Sequence, residues 1–382
     1  MKQKLVILTE IIAPYRIPVF NELARDPEVE LHVIFLAETD RTQREWVVYK
    51  DEIQFSYEVL ANGRFRFSGY HCLLNWGVRR ALRRAAPQVV ICGGYNYLAS
   101  WIALRWARRR RVPFLLWVES TARDRRSGRG LVESLKTRFM RHCWGFVVPG
   151  KSSRSYVRGF GGAESRIFSA PDAVDSHFFM REAETIRHCA VTERHALGLP
   201  AQYFLFVGRI LAEKGVFDLL DAYDQLSPEL KQQWGLVYVG TGKAATELKA
   251  RAAGLKSGTV QLKGFAQRED LACYYGLADV FIFPTHSDPW GLVVNEAMAS
   301  GLPVIVSQVA GCAADLVDDG WNGYVVRSGD TRQLARAMQT LAQDSELRRK
   351  MAGRSQERIA AYSPAHCARG IAAAALACRS VA

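Results

Sequence analysis

Short apolar runs recur along this chain, each closed by a loop and followed by a stretch with helical spacing. The first series predicts strands at 5–8, 31–36, 89–92, 113–118, 145–148 and 167–170, with a further short strand around Tyr57, Val59 and Leu60. Helical patterns lie between them: one after Arg16 carrying Val19, Phe20 and Leu23, then 73–85, 99–108, 131–141 and 151–160. Runs of four to six apolar residues without alternation mark strands buried on both faces. Strands that alternate with helices over short connections predict a doubly wound parallel sheet.

A polar segment at 178–196, with no strand signal, is expected to be a linker. A second series follows: strands at 204–207, 236–239, 260–262, 280–283, 303–306 and about Tyr324, with helices at 216–226, 244–253, 271–277, 334–342 and 346–361 and a last Ala-rich helix from Pro364. The expected fold class is therefore α/β with two Rossmann-like doubly wound domains. The boundaries read as 1–182 for the first and 183–363 for the second, with 364–382 returning to pack on the first. A cleft between two such domains is the default ligand site.

The stretch 279–307 stands out within this pattern. It reads strand, loop, helix, strand, and its helix is apolar nearly all round, which predicts burial. Pro289, Trp290 and Gly291 lead into that helix, with Pro289 placed in the first turn. Two carboxylates interrupt the apolar background: Asp288 before the helix and Glu296 inside it, with seven residues between them. A buried carboxylate is costly without a partner, and loops at the carboxyl ends of parallel strands are where open α/β sheets bind ligands. The pair is read as gripping a polyol, since a carboxylate accepts hydrogen bonds from vicinal hydroxyls. The N–H groups of Gly291 and Leu292 at the helix start can meet an anionic oxygen. The alternative is a helix-start acid favoured by the dipole, together with a paired core Glu.

Charge changes the picture for the first half only. The chain carries +13, of which residues 1–180 contribute 29 Lys and Arg against 17 Asp and Glu, and residues 181–382 contribute 22 against 21. Between 64 and 141 there are 18 basic residues and 3 acidic ones. Such an excess predicts an anionic partner, a solvated basic surface being the plain alternative. The eight cysteines are widely spaced and form no C-x-x-C, which argues against a zinc site or a disulfide framework and fits a reducing cytosol. No segment approaches the ~20 apolar residues of a membrane span, and the start of the chain reads as a first strand rather than a signal peptide.

Two further motifs follow strands of the second series. Gly208-Arg209 with Lys214-Gly215 places two cations at a turn before a helix, a suitable cradle for a pyrophosphate. It lacks Walker spacing, and alone it does not separate a phosphate site from a solvated turn. Gly240-Thr241-Gly242 is either a tight turn or a backbone approach to a nucleotide; without a third spaced glycine it is weak evidence.

Together these residues resemble a known family. F-P-T-H-S-D-P-W-G-L-V-V-N-E-A-M-A-S-G-L-P-V resembles the E-x7-E signature of glycosyltransferase family 4, retaining enzymes of the GT-B fold. V-G-R-I-L-A-E-K-G resembles the family's phosphate-binding stretch, V-G-T-G its glycine turn, and V-Q-L-K-G-F its base-binding loop. Earlier, V-V-P-G-K-S-S-R-S-Y and I-F-S-A-P-D-A-V-D-S-H-F-F resemble the segments that close its first domain. The resemblance implies Arg209 and Lys214 on the pyrophosphate, Glu296 on the ribose and Asp288 on the transferred sugar. It places Gly208, Gly240, Lys263, Phe265, Trp290, Gly291 and Leu292 around the nucleotide. Three departures stand out: Asp288 replaces the usual Glu, the first loop reads A-P-Y-R-I-P in place of a glycine pair, and Glu119 stands where a histidine is frequent. Glu119 is expected to face the acceptor or the sugar.

The expected activity is transfer of a hexose from a UDP- or GDP-sugar to a hydroxyl of a glycan, glycolipid or lipid-linked acceptor, as in bacterial surface polysaccharide assembly. The resemblance implies retention by front-face attack without a protein nucleophile. No D-x-D occurs, so neither a metal nor another cofactor is predicted; the nucleotide sugar is a co-substrate. The protein is expected in the cytoplasm; Arg108, Arg109, Arg110 and Arg111 and the region 123–141 of the basic first domain offer either a hold on an anionic membrane surface, at the inner face of the plasma membrane, or a contact for a polyprenyl-diphosphate-linked acceptor. Three rivals are weaker. A nucleic-acid-binding protein leaves Asp288 and Glu296 unexplained. An oxidoreductase needs a G-x-G-x-x-G that T-E-I-I-A-P-Y-R does not supply. A glycogen-type synthase or a sugar phosphorylase lies within the same fold, and of these a phosphorylase needs a cofactor lysine for which the sequence gives no sign.

Overall fold

The computed structural model describes residues 2–40, 45–67, 70–121 and 130–381. They form two compact units, residues 1–174 with 364–382 and residues 175–363.

In the first unit the strands are β1 (Gln3–Thr9), β2 (Val29–Phe35), β3 (Ser56–Val59), β4 (Asn62–Phe67), β5 (Tyr70–Asn75), β6 (Val89–Cys92), β7 (Phe114–Trp117), β8 (Gly145–Val148) and β9 (Ile167–Ser169). Its helices are α1 (Ile17–Arg25), α2 (Val78–Ala85), α3 (Leu98–Arg109), α4 (Gly130–Arg141) and α5 (Lys151–Gly159). Seven strands make a parallel sheet in the order β3-β2-β1-β6-β7-β8-β9. Alternate residues of each strand serve opposite layers. Val6, Leu8, Val90, Cys92 and Val148 face one core with Leu82, Leu104 and Phe139 from the helices. Leu5, Ile7, Val89, Ile91 and Val147 face the other, with Phe20 and Leu23 of α1.

The second unit opens with α6 (Ser176–His188) and α7 (Ala190–Ala196), followed by β10 (Gln202–Val207), α8 (Val216–Asp224), α9 (Pro228–Gln233), β11 (Trp234–Val239), α10 (Ala245–Ala253), β12 (Val260–Leu262), α11 (Arg268–Leu277) and β13 (Val280–Phe283). Then come α12 (Leu292–Ala299), β14 (Val304–Ser307), α13 (Ala313–Leu316), β15 (Gly323–Val326), α14 (Thr331–Gln343) and α15 (Ser345–Ile359). Its six strands run parallel in the order β12-β11-β10-β13-β14-β15. The final helix α16 (Pro364–Leu376) packs against α1, burying Cys367, Ile371 and Ala375 in the first unit's core.

The structure corrects three local expectations. The segment 178–196 is not a linker but the helices α6 and α7. The Asp175 carboxylate caps α6 by accepting from the Phe178 N–H at 3.0 Å, Phe179 and Ala183 are buried, and Phe179 meets Tyr275 edge-on with ring centroids 5.9 Å apart. One narrow apolar stripe was enough; the charged residues are its wet faces. Residues 73–75 are not helical but end β5, paired antiparallel with β4, and α2 starts only after Gly77. Pro289 lies outside α12, whose N-cap is Gly291. Among the described residues no helix is long and apolar enough to cross a membrane. Residues 122–129, part of the basic region expected at a membrane, lie outside the described residues.

Candidate nucleotide-sugar site

In the second unit β10 and β13 are neighbours, and their crossovers leave in opposite directions. This is the topological switch point at which open parallel sheets bind ligands. The loops after β10, β11, β12 and β13 close on one another there. The Gly208 N–H donates to Val239 O at 3.0 Å, the Ile210 N–H to Thr241 O at 2.8 Å, and the Gly240 N–H to Gly264 O at 2.6 Å. Gly240 has φ +139°, and a Cβ on it would lie 1.9 Å from Gly208 O, so the approach of these two loops requires glycine.

Lys214 ends a short 3-10 turn between β10 and α8 and is only 7% exposed. Its ammonium donates to Ser287 O and to Asp288 Oδ2, both at 2.8 Å. Asp288 Oδ1 accepts from the Trp290 N–H at 3.1 Å. The loop that carries Asp288 is held from several sides. The His286 N–H donates to Glu213 O at 2.9 Å, and the His286 ring lies 2.8 Å from Ser328 Oγ and 3.1 Å from Asp218 Oδ2. Asp288 O accepts from the Gly311 N–H and Trp290 O from the Cys312 N–H, both at 3.0 Å. Arg209 is looser; half of its side chain is exposed and it sits 3.7 Å from Glu213.

Glu296 lies in α12, where the Tyr275 hydroxyl donates to its Oε2 at 2.8 Å. Burial pushes the Glu296 carboxyl up to about 7, against the lowering effect of that hydrogen bond. The first N–H groups of α12, from Gly291 and Leu292, belong to the set that a helix leaves without internal acceptors. Phe265, 41% exposed, follows Gly264 at the end of β12. Lys214, Asp288, the start of α12 and Glu296 thus succeed one another around the switch point, with Gly208, Arg209 and Gly240 on the facing loops.

Two of the expected residues turn their side chains elsewhere. Trp290 is 4% exposed, donates through Nε1 to Asn295 Oδ1 at 2.9 Å and packs against Tyr362. The Lys263 ammonium donates to Leu197 O at 2.8 Å, at the end of α7, and desolvation lowers its pKa. Glu119 belongs to the first unit, where it pairs with Arg16, whose guanidinium lies over the Trp117 ring at 4.2 Å. Tyr275 and Gly311 were missed from the sequence. Gly311 carries a weak local signal, a glycine shortly after a strand, whereas nothing local marks Tyr275, which reaches Glu296 across 21 residues. Among the described residues no group of three or more His, Cys, Asp or Glu side chains is arranged to hold a metal ion.

Two Rossmann-like parallel-sheet units in series make this a GT-B fold. Residues 20–178 match the family described as Glycosyltransferase Family 4, and residues 192–358 match that described as Glycosyl transferases group 1. Between them these two glycosyltransferase models span most of the chain. A D-inositol 3-phosphate glycosyltransferase of Xylanimonas cellulosilytica is 31% identical over 210 residues, covering 53% of this chain and 49% of that protein. The chain spans about half the length of the curated relatives it matches. Anabaena HepE in complex with UDP aligns with a TM-score of 0.75 at 17% identity, over 98% of this chain and 99% of that one. Its complex with UDP-glucose gives 0.73 at 18% identity, over 97% and 98%.

Proposed function

We propose that this chain transfers a hexose from a UDP- or GDP-sugar to a hydroxyl of a glycan, glycolipid or lipid-linked acceptor, with retention at the anomeric carbon and without a metal. The observation that carries this reading is the clustering of a buried ammonium, two carboxylates and a helix start at the switch point of the second unit. Glu296 accepts from the ribose hydroxyls and Asp288 from the sugar. The exposed Phe265 ring offers a stacking face to the base. The diphosphate lies between, met by the Gly291 and Leu292 N–H groups, Arg209 and Lys214. As the bond from the anomeric carbon to the diphosphate oxygen breaks, its electron pair passes to the diphosphate, where these groups stabilise the growing charge. The acceptor oxygen bonds to the same face of the carbon, and its proton goes to the departing diphosphate. Relatives named as glycosyltransferases support the transfer, and the UDP and UDP-glucose held by HepE make uridine sugars the first donors to test.

A thermal-shift panel of UDP-, GDP- and ADP-sugars tests the core of this reading. One uridine or guanosine sugar should raise the melting temperature by a few degrees, since a ligand at a hundredfold excess over its Kd stabilises by about 2.7 kcal/mol. No shift with any of them overturns it. The shift should also depend on pH. With its carboxyl near 7, Glu296 is largely protonated at pH 6 and ionised at pH 8, and the carboxylate is the better acceptor for two hydroxyls. The shift should grow from pH 6 to pH 8, and Glu296→Gln should flatten that profile. In the free protein the sign reverses. The folded state holds a proton that the unfolded chain releases, so this stabilising contribution is present at low pH and lost as pH rises through 7.

In the first unit, Glu119 is assigned to the acceptor. Glu119→Gln should raise the acceptor KM or lower turnover while leaving the nucleotide-induced shift intact. Unchanged turnover and acceptor affinity would reduce Glu119 to a partner of Arg16.

A further inference from the structure

We propose that the face of the first unit formed by α2, α3 and α4 is a seat for the anionic headgroups of a phospholipid bilayer. A groove of about 610 Å³ runs along it, lined by Arg79 of α2, Arg105, Arg108 and Arg109 of α3, and Arg138 of α4. Trp101 and Ile102 line the same groove. A hollow of about 270 Å³ shares Arg79, Arg105 and Arg109 with it and adds Arg83 and Arg110. Another, of about 510 Å³, shares Arg138 and His142 and adds Arg141. The three make one continuous band.

The charge of this band has no internal counterpart. The three helices contain a single carboxylate, Glu133, which sits 3.6 Å from the Lys136 ammonium. Glu58 reaches the band's edge, but its partner there is Arg84. Among the described residues the five groove arginines have no carboxylate partner. His142 is pushed toward its neutral form by desolvation and then by Arg108 and Arg138, as expected among crowded cations. Guanidinium groups held together without acids need external anions, and phosphate oxygens match their paired donors.

Apolar exposure narrows the choice of anion. Leu98 at the start of α3 is 55% exposed, and Val132 and Leu135 of α4 are 46% and 47% exposed. A nucleic acid gives such side chains little to bury against. A bilayer places hydrocarbon directly beneath its phosphates, so arginine and aliphatic side chains are satisfied together. The tertiary band also differs from the sequence run 108–111: Arg111 lines none of the three hollows, whereas Arg79, Arg105 and Arg138 join Arg108, Arg109 and Arg110 from outside the run. If the proposed function holds, this seat keeps the first unit at the surface from which a lipid-linked acceptor presents its hydroxyl. The seat itself does not depend on that reading.

The experiment is co-sedimentation of the full chain with phosphatidylcholine vesicles, with and without phosphatidylglycerol, at low and high salt. Binding should require phosphatidylglycerol and weaken with salt. Arg105→Glu with Arg109→Glu should lower it by more than about tenfold, and the milder Arg105→Gln with Arg109→Gln should lower it less. Both variants should keep the wild-type melting temperature, and any nucleotide-sugar shift, which separates loss of the seat from loss of the fold or of the donor site. Absence of binding to phosphatidylglycerol vesicles at low salt, or equal binding by the folded double variants, overturns the proposal. So does inorganic pyrophosphate binding that the same variants abolish while vesicles do not bind, because the groove would then hold a free phosphate rather than a membrane.

Discussion

Replacing Lys214 by methionine should lower turnover by about 10²–10³-fold, the loss typical of removing one donor that stabilises transition-state charge. The side chain is buried, and its ammonium is the only cation within ion-pair distance of Asp288 among the described residues. Two effects combine in the variant. On the proposed reading the departing diphosphate loses a charge that was held in place before the reaction, and Asp288 is left partly buried with no counter-ion. Methionine keeps the length of the stem, so the comparison isolates the charge. Arginine should not rescue, because a buried slot built for one ammonium between Ser287 O and Asp288 Oδ2 does not admit a planar fork. Steady-state kinetics of Lys214→Met, Asp288→Asn and the double variant measure the coupling, expected at about 0.5–3 kcal/mol for residues in direct contact. Turnover within about threefold of wild type in Lys214→Met would remove Lys214 from the reaction.

The second large effect is expected at a residue that touches no ligand. A Cβ on Gly311 would lie 1.7 Å from Pro289 O. Neither backbone can retreat freely, because the Gly311 N–H is bonded to Asp288 O and the Cys312 N–H to Trp290 O. Gly311→Ala must therefore shear this two-bond ladder and move residues 288–291 with it. Overpacking of this kind costs about 1–3 kcal/mol of stability, occasionally more. The functional loss should be larger, since a displacement of about 1 Å in a positioning element costs about a hundredfold in rate. Thermal unfolding and the nucleotide-induced shift, measured on the same sample, check both parts. A variant with wild-type melting temperature and an undiminished shift would show that this loop is not what holds Asp288 in place.

The strands of both sheets were legible because each is a short apolar run bounded by loop residues, and the periodicity of one window suffices to see that. Val89–Cys92, Gly145–Val148 and Val280–Phe283 are as their patterns predict. The same window misled at 73–75, where leucines at helical spacing are the end of a strand whose partner, β4, has little apolar signal of its own. It misled again at 178–196, where a single buried stripe of α6 is diluted by charges that face water. The site was legible in its parts. Asp288 and Glu296 stood out because ionisable residues are costly in an apolar helix–loop context, whatever their role.

The sequence by itself therefore determined the class of fold, the resemblance to glycosyltransferases and the identity of the polar groups near α12. Only the tertiary structure decided how those groups are joined. Lys214 and Asp288, read separately as diphosphate and sugar ligands, form one ion pair across 74 residues. Trp290, in the middle of the signature, turns into the core, and the Lys263 ammonium turns to the end of α7. The arginines of three helices converge into one band that no stretch of sequence contains. The reason is geometric: a local pattern fixes which face of an element is apolar, whereas the order of strands in the sheet fixes which loops meet. That order brings residues from distant elements within hydrogen-bonding distance of one another.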